Sequence, residues 1–148
     1  MAADLERFVQ AQTGVYDEIV AELRRGRKTG HWIWFVFPQL AGLGRSPTSM
    51  HYAIASLDEA RAYLAHRVLG PRLRACAQLV LDADATSATA IFGELDSMKL
   101  RSSMTLFHRA APDEPLFRAV LARYFDGIAD PATDDLLARA PSEPPPLD

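Results

Sequence analysis

Apolar residues recur three and four positions apart along most of this chain, and each such stretch is bracketed by helix-starting or helix-stopping residues. That pattern predicts a mainly α protein. The first helix is expected from Asp4, well placed as its N-terminal cap, to about Gln12, with Leu5, Phe8 and Val9 on one face. The second is expected from about Val15 to Arg25, with Tyr16, Ile19, Val20 and Leu23 in register and Gly26 as its stop. Ser56-Leu57-Asp58-Glu59 reads as a capping box opening a third. Pro71 suits the first turn of a fourth, through Leu73, Cys76, Leu79 and Val80. Further helices are expected from near Asp96, from Asp113 and Pro115, and in a last stretch capped by Thr133. The total is about seven helices in a single compact domain over residues 1–140. Pro141 to Pro146 should be an extended, disordered tail within residues 141–148.

The exception to the pattern is His31-Trp32-Ile33-Trp34-Phe35-Val36-Phe37-Pro38-Gln39. Its apolar run is short, aromatic and closed by proline. Periodicity does not separate a buried strand from a buried helical turn here, and the segment is taken as non-helical. The stretch from Gly42 to Ser49 is a loop by its punctuation residues.

A chain of 148 residues buries roughly 70% of its unfolded surface, enough for a core without metal or disulfide. Its net charge of −3 argues against a dedicated nucleic-acid binder, which needs a basic face. One cysteine, Cys76, makes no internal disulfide and reads as an inert core thiol. With no apolar leader and no run long enough to span a bilayer, the protein is expected to be cytoplasmic and not membrane-bound. No phosphate-binding glycine motif, no metal-ligand spacing among the histidines and no nucleophile elbow is present, so no metal or cofactor is expected.

Two segments carry chemistry. The first is Lys28 to Gln39 with the loop after it; the second runs from Phe92 to Phe107. The chain has fourteen arginines but only two lysines, Lys28 and Lys99, one in each segment. A lysine kept against that bias suggests a place that wants a compact ammonium on a flexible stem. Both tryptophans, Trp32 and Trp34, lie beside His31, and an aromatic face next to polar groups suits stacking of a planar ring. Spacings of three and four put Asp96, Lys99 and Ser103 near one helix face, with Ser102 and Thr105 beside them. The alternative is plain core for the aromatics and a surface ion pair for Asp96 and Lys99.

His31 to Gln39, Gly42-Leu43-Gly44, Tyr52-Ala53-Ile54 and Ser102-Ser103-Met104-Thr105-Leu106-Phe107 resemble the uncharacterised family known as domain of unknown function 1810 (DUF1810). Further matches at Asp4 to Phe8, Phe92-Gly93, Asp96, Lys99 and Phe125-Asp126-Gly127 extend the resemblance over nearly the whole domain. The automated label calpastatin attached to such proteins describes a disordered inhibitor with repeats, which this chain does not resemble. The family is in turn distantly similar to the YbiA-like, or NADAR, fold. That similarity implies an N-glycosidase acting on ADP-ribose-like or nucleotide-derived compounds. In that scheme Asp96 and His31 are the catalytic candidates. Lys28, Trp32, Trp34, Gln39, Ser46, Tyr52, Lys99, Ser102, Ser103 and Thr105 are the ligand-binding candidates, for a small nucleotide-like molecule. The chain departs from that group where a glutamate is expected just before Tyr52, having Met50 and His51 instead. The alternatives are a non-catalytic module for the same ligand class and a protein-interaction domain.

Overall fold

In a computed structural model describing residues 4–139, one helix is buried on all sides along its middle and the others are arranged around it. Ten helices are present among the described residues: α1 (Glu6–Gln12), α2 (Tyr16–Arg24), α3 (Ile33–Val36), α4 (Pro47–His51), α5 (Leu57–Ala65), α6 (Leu69–Asp82), α7 (Ala88–Phe92), α8 (Glu94–Ala110), α9 (Pro115–Phe125) and α10 (Pro131–Arg139). The seven expected helices are all there, and the three additional ones are single turns. The expected tail, 141–148, lies outside the described residues.

The central element is α8. Every residue from Ser102 to Phe107 is buried, so this helix has no solvent face over nearly two turns. It packs on α5, α7, α9 and α10, while α6 packs on α2, α5 and α9. Aromatic rings stitch the layers together. Phe8, Tyr63, Phe107 and Phe117 form a chain with successive centroids 5.1, 5.4 and 5.8 Å apart. Such contacts stabilise by about 1 kcal/mol each beyond area burial. Cys76 is buried, and loss of solvation pushes its thiol up to about 12, as an inert core cysteine requires.

Several local expectations need correction. Of the stretch from Gly42 to Ser49 taken as a loop, the last three residues already belong to α4, which Ser46 caps. The segment taken as non-helical forms the turn α3, with Phe37 N–H donating to the Ile33 carbonyl at 2.9 Å. Its buried residues, Trp32, Ile33, Val36 and Phe37, are spaced as one helix face. Because every residue of the run is apolar, that spacing is invisible in the sequence. Beyond Pro38 the chain is extended only briefly, where Leu40 bridges Ile54 in an isolated parallel pairing. Asp4 does not cap α1, whose N-cap position is Leu5. Nor does Thr133 cap α10: Asp130 does, its Oδ2 accepting from the Thr133 N–H at 3.1 Å and Thr133 Oγ1 at 2.6 Å. Thr133 is instead fully buried within the first turn.

Two terminal signals fall where the sequence puts them, while α8 and α9 start from Gly93 and Glu114 without a side-chain cap. Ser56 Oγ accepts from Glu59 N–H, and Glu59 reaches back to the Ala55 N–H. Gly26, at φ 72°, turns the chain out of α2. No helix among the described residues is long and apolar enough to cross a membrane.

The junction of α5 and α6 is the tightest backbone approach. A Cβ on Gly70 would run into the Leu64 carbonyl oxygen, which cannot retreat as a side chain can. Gly70→Ala should therefore cost roughly 1–3 kcal/mol despite alanine's higher helix propensity. Urea unfolding measures it, and an unchanged or raised midpoint would refute the close packing.

Candidate functional site

Glu22, an otherwise ordinary polar residue of α2, organises the loop that follows. The helix ends at Arg24, Gly26 reverses the chain, and Glu22 Oε1 then accepts three hydrogen bonds. They come from Thr29 N–H at 2.7 Å, Gly30 N–H at 2.9 Å and Trp32 Nε1 at 2.9 Å. Burial opposes ionisation of this carboxyl, but these donors outweigh it and hold its pKa below the usual value. From the other side, Lys28 N–H donates to the Ile91 carbonyl in α7 (2.8 Å). Pinned at both flanks, the loop sends the Lys28 side chain inward, where it is only 6% exposed.

Lys28 Nζ lies 2.6 Å from Asp96 Oδ2, bonds the Gly30 carbonyl, and sits 5.2 Å from the Trp32 ring centroid. Asp96 stands in the first turn of α8, whose N-cap is Gly93 at φ 81°. Its other oxygen, Oδ1, receives Lys99 Nζ at 3.2 Å, and that ammonium lies 4.9 Å from the Trp34 ring centroid. Burial opposes the Asp96 charge, yet Lys28 first and Lys99 second hold its pKa below the ordinary carboxylate range. Two ammonium groups thus share one carboxylate between two indole faces.

A hollow of about 150 Å³ touches the cluster at Trp32, with Glu22, Gly30 and His31 beside it. Two larger hollows flank the cluster, and α4 contributes residues to both. One of about 300 Å³ has Gln39, Ser49, Lys99, Ser102 and Asp130 among its polar lining. Leu43, Leu95 and Met98 supply its apolar wall, and Leu95 and Met98 are 73% and 63% exposed. The other, of about 520 Å³, is lined by His31, Trp34, Phe35, Thr48, His51 and Tyr52. A wider trough of about 840 Å³ between α2 and α6 shares no residue with the cluster. Its wall is mixed, with Tyr16, Asp17, Arg24, Arg25 and Gln78 beside aliphatic side chains, and size alone does not mark it as the site.

Residues 2–137 match the family described as a protein of unknown function, DUF1810. The chain belongs to the DUF1810 family. It is also similar to a solved structure, the conserved hypothetical protein Rv1873 from Mycobacterium tuberculosis. The two share 56% identity with a TM-score of 0.89, over 91% of this chain and 96% of the other. No curated protein matches the chain.

Within this DUF1810 domain the two stretches singled out by their lysines do meet, at Lys28, Asp96 and Lys99. Trp32 and Trp34 each lie under one ammonium; Trp32 is buried at the edge of the smallest hollow, while Trp34 lines the larger one. Gln39 and Ser102 line the smaller hollow with Lys99; His31 and Tyr52 line the larger. The groups expected in one cavity are therefore divided among three hollows, and Asp96 lines none of them. Ser46 is an exposed N-cap for α4, accepting from the Ser49 N–H at 3.1 Å. Ser103 is fully buried with its hydroxyl unpaired among the described residues. Thr105 is buried too, donating to the Arg101 carbonyl and accepting from the Asp130 N–H, both at 2.8 Å. Among the described residues no group of three histidine, cysteine or acidic side chains is placed to hold a metal ion.

Glu22, Ser49 and Asp130 escaped the sequence reading. Asp130-Pro131 did carry a signal, an acidic cap before a first-turn proline. Glu22 carried none, because Asp17, Glu18 and Glu22 look alike on one amphipathic helix.

Two outcomes follow from the geometry. Glu22→Ala strands three donors and should cost on the order of 3 kcal/mol, read by urea unfolding. A cost under about 0.5 kcal/mol would mean the loop does not depend on this carboxylate. Asp96 and Glu22 have lowered folded pKa values, so the unfolded chain takes up protons first as pH falls. Their stabilisation is complete above the unfolded carboxylate range of about 4 and lost as pH drops through the folded values. Asp96→Asn should flatten part of that acid-side loss; an identical pH profile in wild type and variant would contradict the assignment.

Proposed function

We propose that this domain is a binding module for a small anionic, nucleotide-like molecule, held in the hollow beside Lys99. The observation that carries the reading is the sharing of one carboxylate by the chain's only two lysines. Lys28 is buried and satisfied by Asp96 and the Gly30 carbonyl, whereas Lys99 is a quarter exposed and lines the hollow. Asp96 is thus largely neutralised by Lys28, and Lys99 retains attraction for an incoming anion. Ser49 and Gln39 add hydroxyl and amide groups suited to phosphate or ribose oxygens, while the Ser102 hydroxyl, already donating to Asp130, offers only its lone pairs. The exposed Leu95 and Met98 supply apolar contact for a planar base.

Hydrolysis of an N-glycosidic bond, the activity suggested by the distant NADAR similarity, asks for a carboxylate beside the sugar carbon. Asp96 is poorly suited to that role, because both its oxygens are bonded to ammonium groups and it lines neither hollow. His31 lines the other hollow. Binding without turnover is therefore the favoured reading.

Differential scanning with a panel of nucleoside mono- and diphosphates and ADP-ribose tests it. A ligand at a hundred times its Kd stabilises by about 2.7 kcal/mol and raises Tm accordingly. Lys99→Met should abolish the shift, and chromatography of the same mixtures should show no released base. Base release would restore the enzyme reading; the absence of any shift in the wild-type protein would remove the nucleotide one.

A further inference from the structure

Asp130 lies in neither of the stretches marked out by the lysines, yet it lines the same hollow as Lys99. It is held from several directions. Its own N–H donates to Thr105 Oγ1 at 2.8 Å, and Arg101 grips the preceding residues through the Ile128 and Ala129 carbonyls, both at 3.0 Å. Its Oδ2 receives Thr133 N–H, Thr133 Oγ1 and Ser102 Oγ, the last at 3.0 Å. Three donors on one oxygen fix the plane of the carboxylate. The other oxygen, Oδ1, accepts no hydrogen bond among the described residues, and no lysine or arginine there makes an ion pair with it.

This is an ordered anion with one oxygen spare, in a hollow that also presents an ammonium. Lys99 does not neutralise it, because Lys99 is turned to Asp96. A carboxylate oxygen in this position asks for hydrogen-bond donors, and a charge-assisted bond there is about twice as strong as a neutral one. The lining is therefore polarised: an ammonium that attracts anions, a carboxylate that accepts donors, and Gln39, Ser49 and Ser102 with them.

We infer that the hollow reads its ligand at two ends, Lys99 taking an anionic group and Asp130 receiving a pair of hydroxyl donors. Resting on the nucleotide reading above, this names the ligand class as a nucleoside monophosphate, with its ribose diol on Asp130 and its phosphate on Lys99. The volume of about 300 Å³ is at the small end of ligand pockets and suits one nucleotide rather than two. Asp130 is then the specificity residue of the site. A ligand that covers Oδ1 without supplying a hydroxyl leaves that oxygen unpaired, a loss on which discrimination can rest.

Calorimetric titration of the full chain tests this with adenosine monophosphate, its 2′,3′-dideoxy counterpart, inorganic phosphate and free leucine, a zwitterion with the same charge pair. Loss of both hydroxyls should weaken binding to the wild-type protein at least roughly tenfold. Asp130→Asn keeps an oxygen for Thr133 and Ser102 while removing the charge, and should bring the two nucleotides to within about threefold of each other. Lys99→Met should weaken both nucleotides alike. Equal affinity of the two nucleotides for the wild-type protein overturns the two-ended reading while leaving nucleotide binding intact, and needs no variant to fold. Binding of leucine in place of nucleotides overturns the diol assignment and the nucleotide class together. Failure of all four ligands to bind removes the site itself.

Discussion

Lys28 is a cation with almost no access to water, and its place in the fold depends on one ion pair. A buried ammonium costs several kcal/mol of lost hydration unless a close partner offsets it, and Asp96 at 2.6 Å is that partner. For the pair to form, the loop after α2 must lie against the start of α8. Glu22 holds that loop from one side and the Ile91 carbonyl from the other. The same loop positions Trp32, whose ring packs near Phe37 and Phe92 at centroid distances of 6.3 Å each. One electrostatic contact and the core therefore require the same loop conformation. This mutual consistency is the property that makes a single native arrangement outcompete its alternatives.

An ion pair in this setting is weak evidence for stability, since an apolar pair of similar volume often stabilises as much or more. The composition sharpens the point. A chain that uses arginine fourteen times has kept lysine only at the two ends of one carboxylate. Guanidinium would have satisfied a structural role with more hydrogen bonds. An ammonium is smaller and more strongly hydrated, and it leaves room beside it. That difference is the physical reason to connect the cluster with a ligand rather than with folding alone.

How much of this was legible in the sequence varies with the range of the interaction concerned. The helices α5, α6, α8 and α9 announce themselves through three-to-four apolar spacing, with a capping box at α5 and a first-turn proline at α9, all of them local signals. The turn α3 does not, because in a run of uniformly apolar residues only burial distinguishes one face from another. The convergence of Lys28 and Lys99 was legible for an unusual reason, a bias in residue choice rather than a motif. The cavity was not. Whether Ser102 or Ser103 faces a hollow depends on a single step of roughly 100° around α8, and the segment entering α10 decides it: Asp130 captures Ser102, while Ser103 is enclosed. Asp130 itself could have been placed as a cap from Asp130-Pro131, but no local rule says that a cap also lines a hollow.

The dual role of Asp130 sets a constraint on any chemistry in this hollow. The residue that caps α10 through Oδ2 is the same one that lines the cavity, with its other oxygen accepting no hydrogen bond among the described residues. Protonation, or bonding to a substrate carbon, would weaken its hold on Thr133 and Ser102 together, loosening α10 from α8. A catalytic carboxylate must change its bonding during each turnover, whereas a recognising one must stay as it is. Rigid support by three donors favours the second use. Under the binding reading, the ligand's hydroxyls add donors to a carboxylate already fixed for folding, so recognition needs no rearrangement and little ordering entropy is lost on association.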